Sequence, residues 1–478
     1  MQLRLLFLII LLCVTGITYA QQAPSGVDSV TRLVRQYYNE KNTTALYEMT
    51  NPAFRKALTE TAFSQAMEGL NKQLGNINTT EFQSATDNVA KYKTSFTSGQ
   101  VLALFIGLDK EGRLETLLFR PVEVPVASKT APVPTSNPLA TPLDKKVDSL
   151  IKPFISKVNT VGIVVGVLEN GKTHVYGYGE MVKDKGEVPG GNTLFEIGSL
   201  SKTFTATLLA DLVEKGKINL SDPVNKYLPD SIPALQFNGK PITIASLSNH
   251  SSGLPRMPGN IFFSSIPDNP YVKYDDAKLF AFLKRFKTTR EPGAEYEYSN
   301  LAVGLLGVII ERVSGRSYEQ QLKAVICKPL GLKQTTVTIG KTDSAYFAQG
   351  YDAQAQIKPV HSWEFISLAG AGAIRSGVND LLLYAKAQVN AARTPLSKAI
   401  QLTHQQTFEF GQTRVALGWH INSFNNKSYM GHNGQTGGYC SSMLVDPVSG
   451  KAVVILINSN ADMKLLPYQL IDWVQDHF

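Results

Sequence analysis

The chain reads as an α+β protein: an antiparallel sheet flanked by helices, with an inserted helical subdomain, preceded by a small α+β unit. Three observations predict this. Hairpin signals stand near both ends of the segment 143–478. Helical spacing of apolar residues fills the stretch between them. A proline-rich stretch, 121–142, separates that segment from a shorter one with its own helix and strand signals.

The chain opens on a leader pattern. Met1 to Arg4 supply a short positive region, and Leu5 to Ile17 form an apolar run too short for a comfortable membrane span. Thr18-Tyr19-Ala20 ends in the small residue a signal peptidase requires. Cleavage after Ala20 and a secreted or periplasmic protein are therefore expected. The rival is a lipoprotein lipidated at Cys13, but Leu11-Leu12 lacks the small residue expected before such a cysteine. No later stretch has the uninterrupted apolar length of a transmembrane segment. Losing the leader removes Cys13 and leaves Cys327 and Cys440. A disulfide is allowed in a secreted protein, but two distant cysteines do not make a framework, and buried free thiols are the expectation.

Residues 25–120 read as the small α+β domain. Val27 to Tyr38 and Ala45 to Met67 carry helical spacing, Val101 to Leu108 reads as a strand, Asp109-Lys-Glu-Gly112 as a turn, and Leu114 to Phe119 as the returning strand. The pattern resembles the cystatin-like domains found ahead of some secreted bacterial hydrolases. It holds no catalytic constellation, so a binding or spacer module is expected. In 121–142, Pro121, Pro125, Pro132, Pro134, Pro138 and Pro142 among small polar residues imply an extended, semi-stiff linker that does not pack.

In 143–478, Val161 to Glu169 is an apolar strand, Asn170-Gly171 a two-residue hairpin turn, and Lys172 to Tyr178 the return. Ser441 to Val445 and Ala452 to Ile457 flank a second hairpin at Asp446 to Gly450. Helical patterns lie between at Thr203 to Lys215, Ala277 to Phe286, Leu301 to Val313 and Val378 to Asn390, and a last helix covers Leu465 to Phe478.

Composition narrows the function. A chain of 478 residues that is 43% hydrophobic and 18% charged can bury a large core. Its net charge of +8 comes from scattered lysines and arginines without runs, which gives no support to nucleic-acid binding. None of the seven histidines stands at metal-ligand spacing from another, and no cofactor motif occurs, so neither metal nor cofactor is expected. There is no Gly-x-Ser-x-Gly elbow of the kind an α/β-hydrolase needs.

Ser199 and Lys202 stand three residues apart where Phe195-Glu-Ile-Gly198 gives way to an apolar helix. An i, i+3 pair shares one helix face, and the first helical turn favours a neutral amine over a protonated one. A serine beside such a base becomes a nucleophile. Ser149 and Lys152 match the same spacing without that approach, so context favours Ser199. Tyr298-Ser299-Asn300 offers a phenol and a carboxamide in one loop, although Tyr37-Tyr38-Asn39 matches too. His432-Asn433-Gly434, followed by Gln435-Thr436-Gly437-Gly438, precedes the strand at 441, where glycines would let a substrate approach the strand edge.

The order and spacing of Ser199-x-x-Lys202, Tyr298-x-Asn300 and His432-x-Gly434 resemble the serine β-lactamase and penicillin-binding-protein superfamily. The match is nearest the class C β-lactamase-like branch, which includes esterases, D-stereospecific peptidases and carboxypeptidases. Leu194 to Phe204, Gly216 to Pro229, Asn249 to Pro255, Tyr298 to Gly304 and Gly431 to Gly438 carry the resemblance, over residues 143–478. It implies an acyl-enzyme in which Ser199 attacks a carbonyl while Lys202 and Tyr298 share the base and proton-shuttle work, the first proton acceptor left open. Asn300 would orient the substrate. The Ser199 and Gln435 backbone N–H groups would form the oxyanion hole, each such donor supplying about 3 kcal/mol. The implied substrate is a small molecule or peptide with an ester, amide or lactam carbonyl, cell-wall peptides among them.

One departure matters. Class C β-lactamases usually carry Lys where this chain has His432, and a largely neutral histidine holds a lactam carboxylate poorly. An esterase, D-aminopeptidase or D-Ala-D-Ala carboxypeptidase is therefore expected ahead of a genuine class C β-lactamase. Tyr-Ser-Asn in place of Ser-Asp-Asn argues against class A. A non-turning-over β-lactam or peptidoglycan sensor is the non-enzymatic rival, and the lack of a transmembrane signalling helix in the sequence counts against it.

Overall fold

Hairpins from opposite ends of segment 143–478 meet in one sheet. The computed structural model describes residues 26–86, 88–121, 126–261, 269–341, 343–353, 357–463 and 465–478, so the leader and Cys13 lie outside the described residues. The chain divides into two compact units, one up to Pro125 and one from Val126 onward.

In the first unit, helices α1 (Val27–Asn39), α2 (Thr43–Glu48), α3 (Pro52–Ala57) and α4 (Glu60–Leu74) precede an antiparallel sheet in the order β1 (Ile77–Thr86), β2 (Val89–Phe96), β3 (Val101–Leu108), β4 (Leu114–Pro121). Val34, Phe63, Tyr92 and Leu104 form its core. The single helix expected across 45–67 is broken into separate helices. Asn42, Asn51 and Thr59 each accept a bond from a backbone N–H three residues on, and Pro52 occupies the first turn of α3. The sequence reading did not anticipate β1 and β2, because β1 is largely exposed and polar.

The expectation of an unpacked linker needs correction over 128–141. The prolines keep this segment extended, yet it belongs to the second unit and bonds within it: Lys129 N–H donates to Ser156 O at 2.7 Å, and Gly179 N–H to Pro134 O at 2.8 Å. Asn137 is buried and donates to Asp144 O. Pro142 already belongs to α5 (Pro142–Ile155), whose start is closed by a Thr141–Asp144 capping box.

In the second unit, β5 (Gly162–Glu169) and β6 (Lys172–Gly179) form the first hairpin. The short pairs β7 (Phe195–Glu196) with β12 (Arg375–Ser376), β8 (Gln236–Phe237) with β9 (Lys240–Pro241), and β10 (Tyr351–Asp352) with β11 (Lys358–Pro359) lie outside the main sheet. Later come β13 (Phe408–Phe410), β14 (Thr413–Val415), β15 (His420–Phe424), β16 (Lys427–Gln435), β17 (Cys440–Asp446) and β18 (Lys451–Ile457). The main antiparallel sheet runs β13-β14-β15-β16-β17-β18-β5-β6, with Ile163 opposite Ile457.

Both sheet faces are covered, which is why β5, β17 and β18 are buried along their whole length without alternation. α12 (Val378–Val389) packs on one face and reaches the helical core through Val378, Leu381 and Leu382. α5 and α14 (Leu466–His477) cover the other through Val147, Ile151, Leu470 and Ile471. The inserted subdomain holds α6 (Ser201–Glu214), α7 (Ile244–Ser248), α8 (Asp276–Arg285) and α9 (Asn300–Ser314). Among the described residues no helix is long and apolar enough to cross a membrane.

Candidate active site

Ser199 sits in a 3-10 turn, Gly198–Leu200, at the entrance to α6. Gly198 has φ +49, a left-handed conformation that glycine adopts without strain. A Cβ there would lie 2.8 Å from the Gln435 backbone nitrogen, so this glycine permits the turn and the end of β16 to touch. Ser199 is half-open to a cavity of ≈ 580 Å³.

Lys202 is on the second residue of α6 and is 0% exposed. Its Nζ lies 3.0 Å from Ser199 Oγ, 2.9 Å from Asn300 Oδ1 and 2.6 Å from Ala371 O; as a neutral amine it donates to the two carbonyl oxygens and offers its lone pair to the Ser199 hydroxyl. Burial, reinforced by the Arg256 charge, holds the amine well below its ordinary value. The surrounding oxygens are all uncharged, so no carboxylate offsets the desolvation of an ammonium, which favours the neutral amine. Asn300, the first residue of α9, thus grips Lys202, while its Nδ2 lies 3.5 Å from the Tyr271 hydroxyl.

Tyr298 stands just before α9. Its ring centre is 4.9 Å from Lys202 Nζ and 4.3 Å from the His250 ring. Burial pushes its phenol up to about 12, against the lowering effect of a hydrogen bond with Ser199. The loop is pinned from behind: Ser299 N–H donates to His250 Nδ1, and Ser299 Oγ donates to Pro255 O.

His432 lies within β16, ahead of β17 as expected, on a stretch that lines the cavity. The reason is register: β15 begins at His420 opposite Gly431, and residues 432–435 run on past it, pairing only with β17. Their other edge is free to face the cavity. Thr436 N–H bonds to Tyr439 O, so by alternation the Gln435 N–H and C=O turn to that free edge, beside Gly198. Gly434 lines the cavity and also packs closely on the serine segment. A Cβ there would lie 1.9 Å from Ile197 O, so this glycine admits the serine segment. Burial holds His432 well below its ordinary value. Its Nδ1 faces Asn433 O at 2.7 Å and must carry the proton, which leaves Nε2, buried and without a partner among the described residues, as a bare acceptor.

Several cavity residues were not singled out from the sequence. His420 bonds the Tyr296 hydroxyl at 2.8 Å, and burial lowers it to about 4. Tyr271, Trp363 and Phe365 make an aromatic wall, with Tyr271 and Phe365 stacked at 4.2 Å. Arg256 lies over Tyr298. The Asn249–Pro255 segment hinted at His250 and its surroundings, but nothing in spacing marks His420. The Glu196–Arg375 pair, 3.3 Å apart and buried, braces the wall, because Glu196 Oε1 also accepts from Trp363 N–H.

The competing matches resolve simply. Ser149 is exposed on α5 and donates to Lys146 O, a helix-surface serine. Asn39 bonds both backbone groups of Ile77 and is structural. Cys327 and Cys440 are free and buried, each thiol pushed up to about 12 by desolvation. No group of metal-ligating residues occurs among the described residues.

Comparison with known proteins identifies the family. The Beta-lactamase family model matches residues 147–471. A beta-lactamase of Pseudomonas fluorescens is 30% identical over 355 residues, 67% of this chain and 95% of that protein. A beta-lactamase of Escherichia coli K12 is 28% identical over 66% of this chain and 88% of its own length. Protein flp of Staphylococcus aureus is 28% identical over 66% of this chain and 64% of its length. A sheet joining strands from both ends of segment 143–478, a serine segment seated on the end of β16 and these matches together place the chain in the beta-lactamase family of serine hydrolases.

Proposed function

We propose that this protein is a secreted hydrolase that cleaves an ester or amide through an acyl-enzyme on Ser199. One observation carries the reading: an accessible serine hydroxyl lies 3.0 Å from a lysine amine that burial keeps neutral. Lys202 takes the Ser199 proton as Oγ bonds to the carbonyl carbon. The oxygen that becomes negative faces the Ser199 and Gln435 N–H groups. The proton passes through Tyr298 to the leaving oxygen or nitrogen, the acyl bond to it breaks, and water later releases the acid from Ser199. Lys202 is the first acceptor in this scheme, because Tyr298 stays protonated at neutral pH. Asn300 holds the amine in place.

The neutral His432 favours esterase or D-peptidase activity, with cell-wall peptides among the substrates. The relatives that bear the name beta-lactamase favour lactam hydrolysis as the second reading. Incubation with chromogenic esters, D-amino-acid peptides and β-lactams, followed by intact-mass measurement, separates them. Continued product release with a transient acyl mass on Ser199 supports the enzyme. A burst that stops at one equivalent marks a sensor, and no adduct from any of the three classes refutes the reading.

A further inference from the structure

Arg316, Lys323, Lys328 and Lys333 line one groove of ≈ 770 Å³ just beyond α9. It shares no lining residue with the catalytic cavity. Arg316, Lys328 and Lys333 are exposed, and Lys323 is half-buried with its Nζ donating to Thr335 O at 2.6 Å. None of the four forms an ion pair among the described residues. The acidic residue of the lining, Glu319, has both oxygens occupied by neutral donors. Its Oε1 accepts from Val337 N–H at 2.9 Å, and its Oε2 from Thr338 Oγ1 at 2.8 Å.

Local structure gathers these cations, which form no run in the sequence. α10 (Tyr318–Gln321) leads into a π-helical turn, Leu322–Cys327, and then into α11 (Lys328–Leu330). On an α-helix the residues that face one another are three or four apart, so Lys323 and Lys328 would diverge. The wider turn, with its i→i+5 bonds, returns Lys328 to the face of Lys323. Lys333 is fixed from behind, because its N–H donates to Asp380 Oδ1 at 3.1 Å. Like charges held together repel one another, and a bound anion would offset that repulsion. The floor beneath them is apolar: Cys327 and Leu332 are buried, with Ala324 beside them.

We propose that this groove seats the headgroup of an anionic membrane lipid, so that the protein docks on a membrane surface. The cation rim alone would suit any polyanion. The apolar floor favours a ligand with charge at one end and hydrocarbon at the other, and peripheral attachment draws on both. The site lies outside the serine chemistry and does not depend on it.

Sedimentation of the full chain with vesicles tests it, using phosphatidylcholine alone or with an equal part of phosphatidylglycerol. The leader, Met1 to Ala20, is common to every variant and cancels. Binding is tighter to the mixed vesicles and weakens as salt rises. Lys328→Gln with Lys333→Gln lowers the partition into mixed vesicles about twentyfold, which is about fivefold for each cation. Lys284→Gln with Lys287→Gln removes the same charge from exposed positions outside the groove and leaves the partition within about twofold. Equal losses in the two double variants mean that net charge alone governs binding, and they overturn the proposal. Binding to mixed vesicles no tighter than to phosphatidylcholine overturns it as well. If long-chain polyphosphate binds while mixed vesicles do not, the ligand is a soluble polyanion and the membrane proposal falls. Thermal melts of all variants should match the wild type. If the groove double variant melts early, Arg316→Gln decides instead, with a loss of about fivefold supporting the groove and no loss refuting it.

Discussion

Lys202 Nζ lies 3.0 Å from Ser199 Oγ, and the two differ sharply in their access to water: the serine opens to the cavity, whereas the lysine is 0% exposed. The hydroxyl can meet a substrate, and the amine can meet only the hydroxyl and two fixed carbonyl oxygens. Replacing Ser199 by Ala is therefore expected to abolish the acyl adduct while leaving thermal unfolding nearly unchanged. Ser149→Ala, on an exposed helix face, leaves adduct formation intact. Intact-mass measurement on both variants checks the assignment.

Lys202→Met links chemistry to stability. Loss of the base lowers acylation by about 10²–10⁴-fold. The stability effect has a definite sign. In the unfolded chain the amine titrates at its ordinary value, and in the fold it titrates well below 10.5. Between those values the unfolded state binds a proton that the native state does not, so native stability rises with pH across the window and is lost as pH falls. Denaturant melts at about pH 7 and 10 should show wild type gaining stability relative to Lys202→Met on going to the higher pH. A constant difference would mean that Lys202 is charged in the fold.

The pH–rate profile follows from the same groups. Burial holds Lys202, His250 and His432 well below their ordinary values, His420 changes charge only near 4, and Tyr298 keeps its proton to about 12. kcat/KM for a neutral ester should stay level from about pH 7 to 10. An inflection close to the ordinary histidine value would show that one of the three imidazoles is less buried than this account requires.

Gly198→Ala should impair catalysis without unfolding the protein. A methyl at Gly198 meets the Gln435 nitrogen at 2.8 Å and forces the end of β16 away from Ser199. Displacing one oxyanion donor costs about 10²–10³ in kcat. Single-turnover acylation read beside a thermal melt separates that outcome from general damage.

Arg375→Met strips the partner from Glu196, which is 3% exposed. Breaking a buried pair in this way costs about 3–5 kcal/mol. Denaturant unfolding measures the loss, and weaker binding of aromatic substrates should accompany it, since Glu196 also anchors Trp363.

The sequence revealed the two hairpins, the principal helices and the Ser199, Lys202, Tyr298 and His432 positions, because each depends on local spacing or on motif order. It did not reveal what tertiary structure assembles. His420 enters the site only because β15 stops one residue short of His432. Arg256 gains meaning only from lying over Tyr298. The close packing at Gly434 was not legible, because the atom that needs the space, Ile197 O, belongs to a segment more than two hundred residues away. The 128–141 segment looked unpacked because proline removes donors, yet its remaining N–H and C=O groups still find partners in the second unit.

The pairing of β5 with β18 joins residues nearly three hundred positions apart, Ile163 with Ile457. During synthesis the early hairpin must wait, half of its hydrogen bonds unmet, until the final strand leaves the ribosome. An isolated hairpin is marginal in water, and long-range strand pairing is slow. A chain cut short before Lys451 would therefore keep a sticky open edge, and a premature stop there should yield aggregates in place of a smaller folded protein.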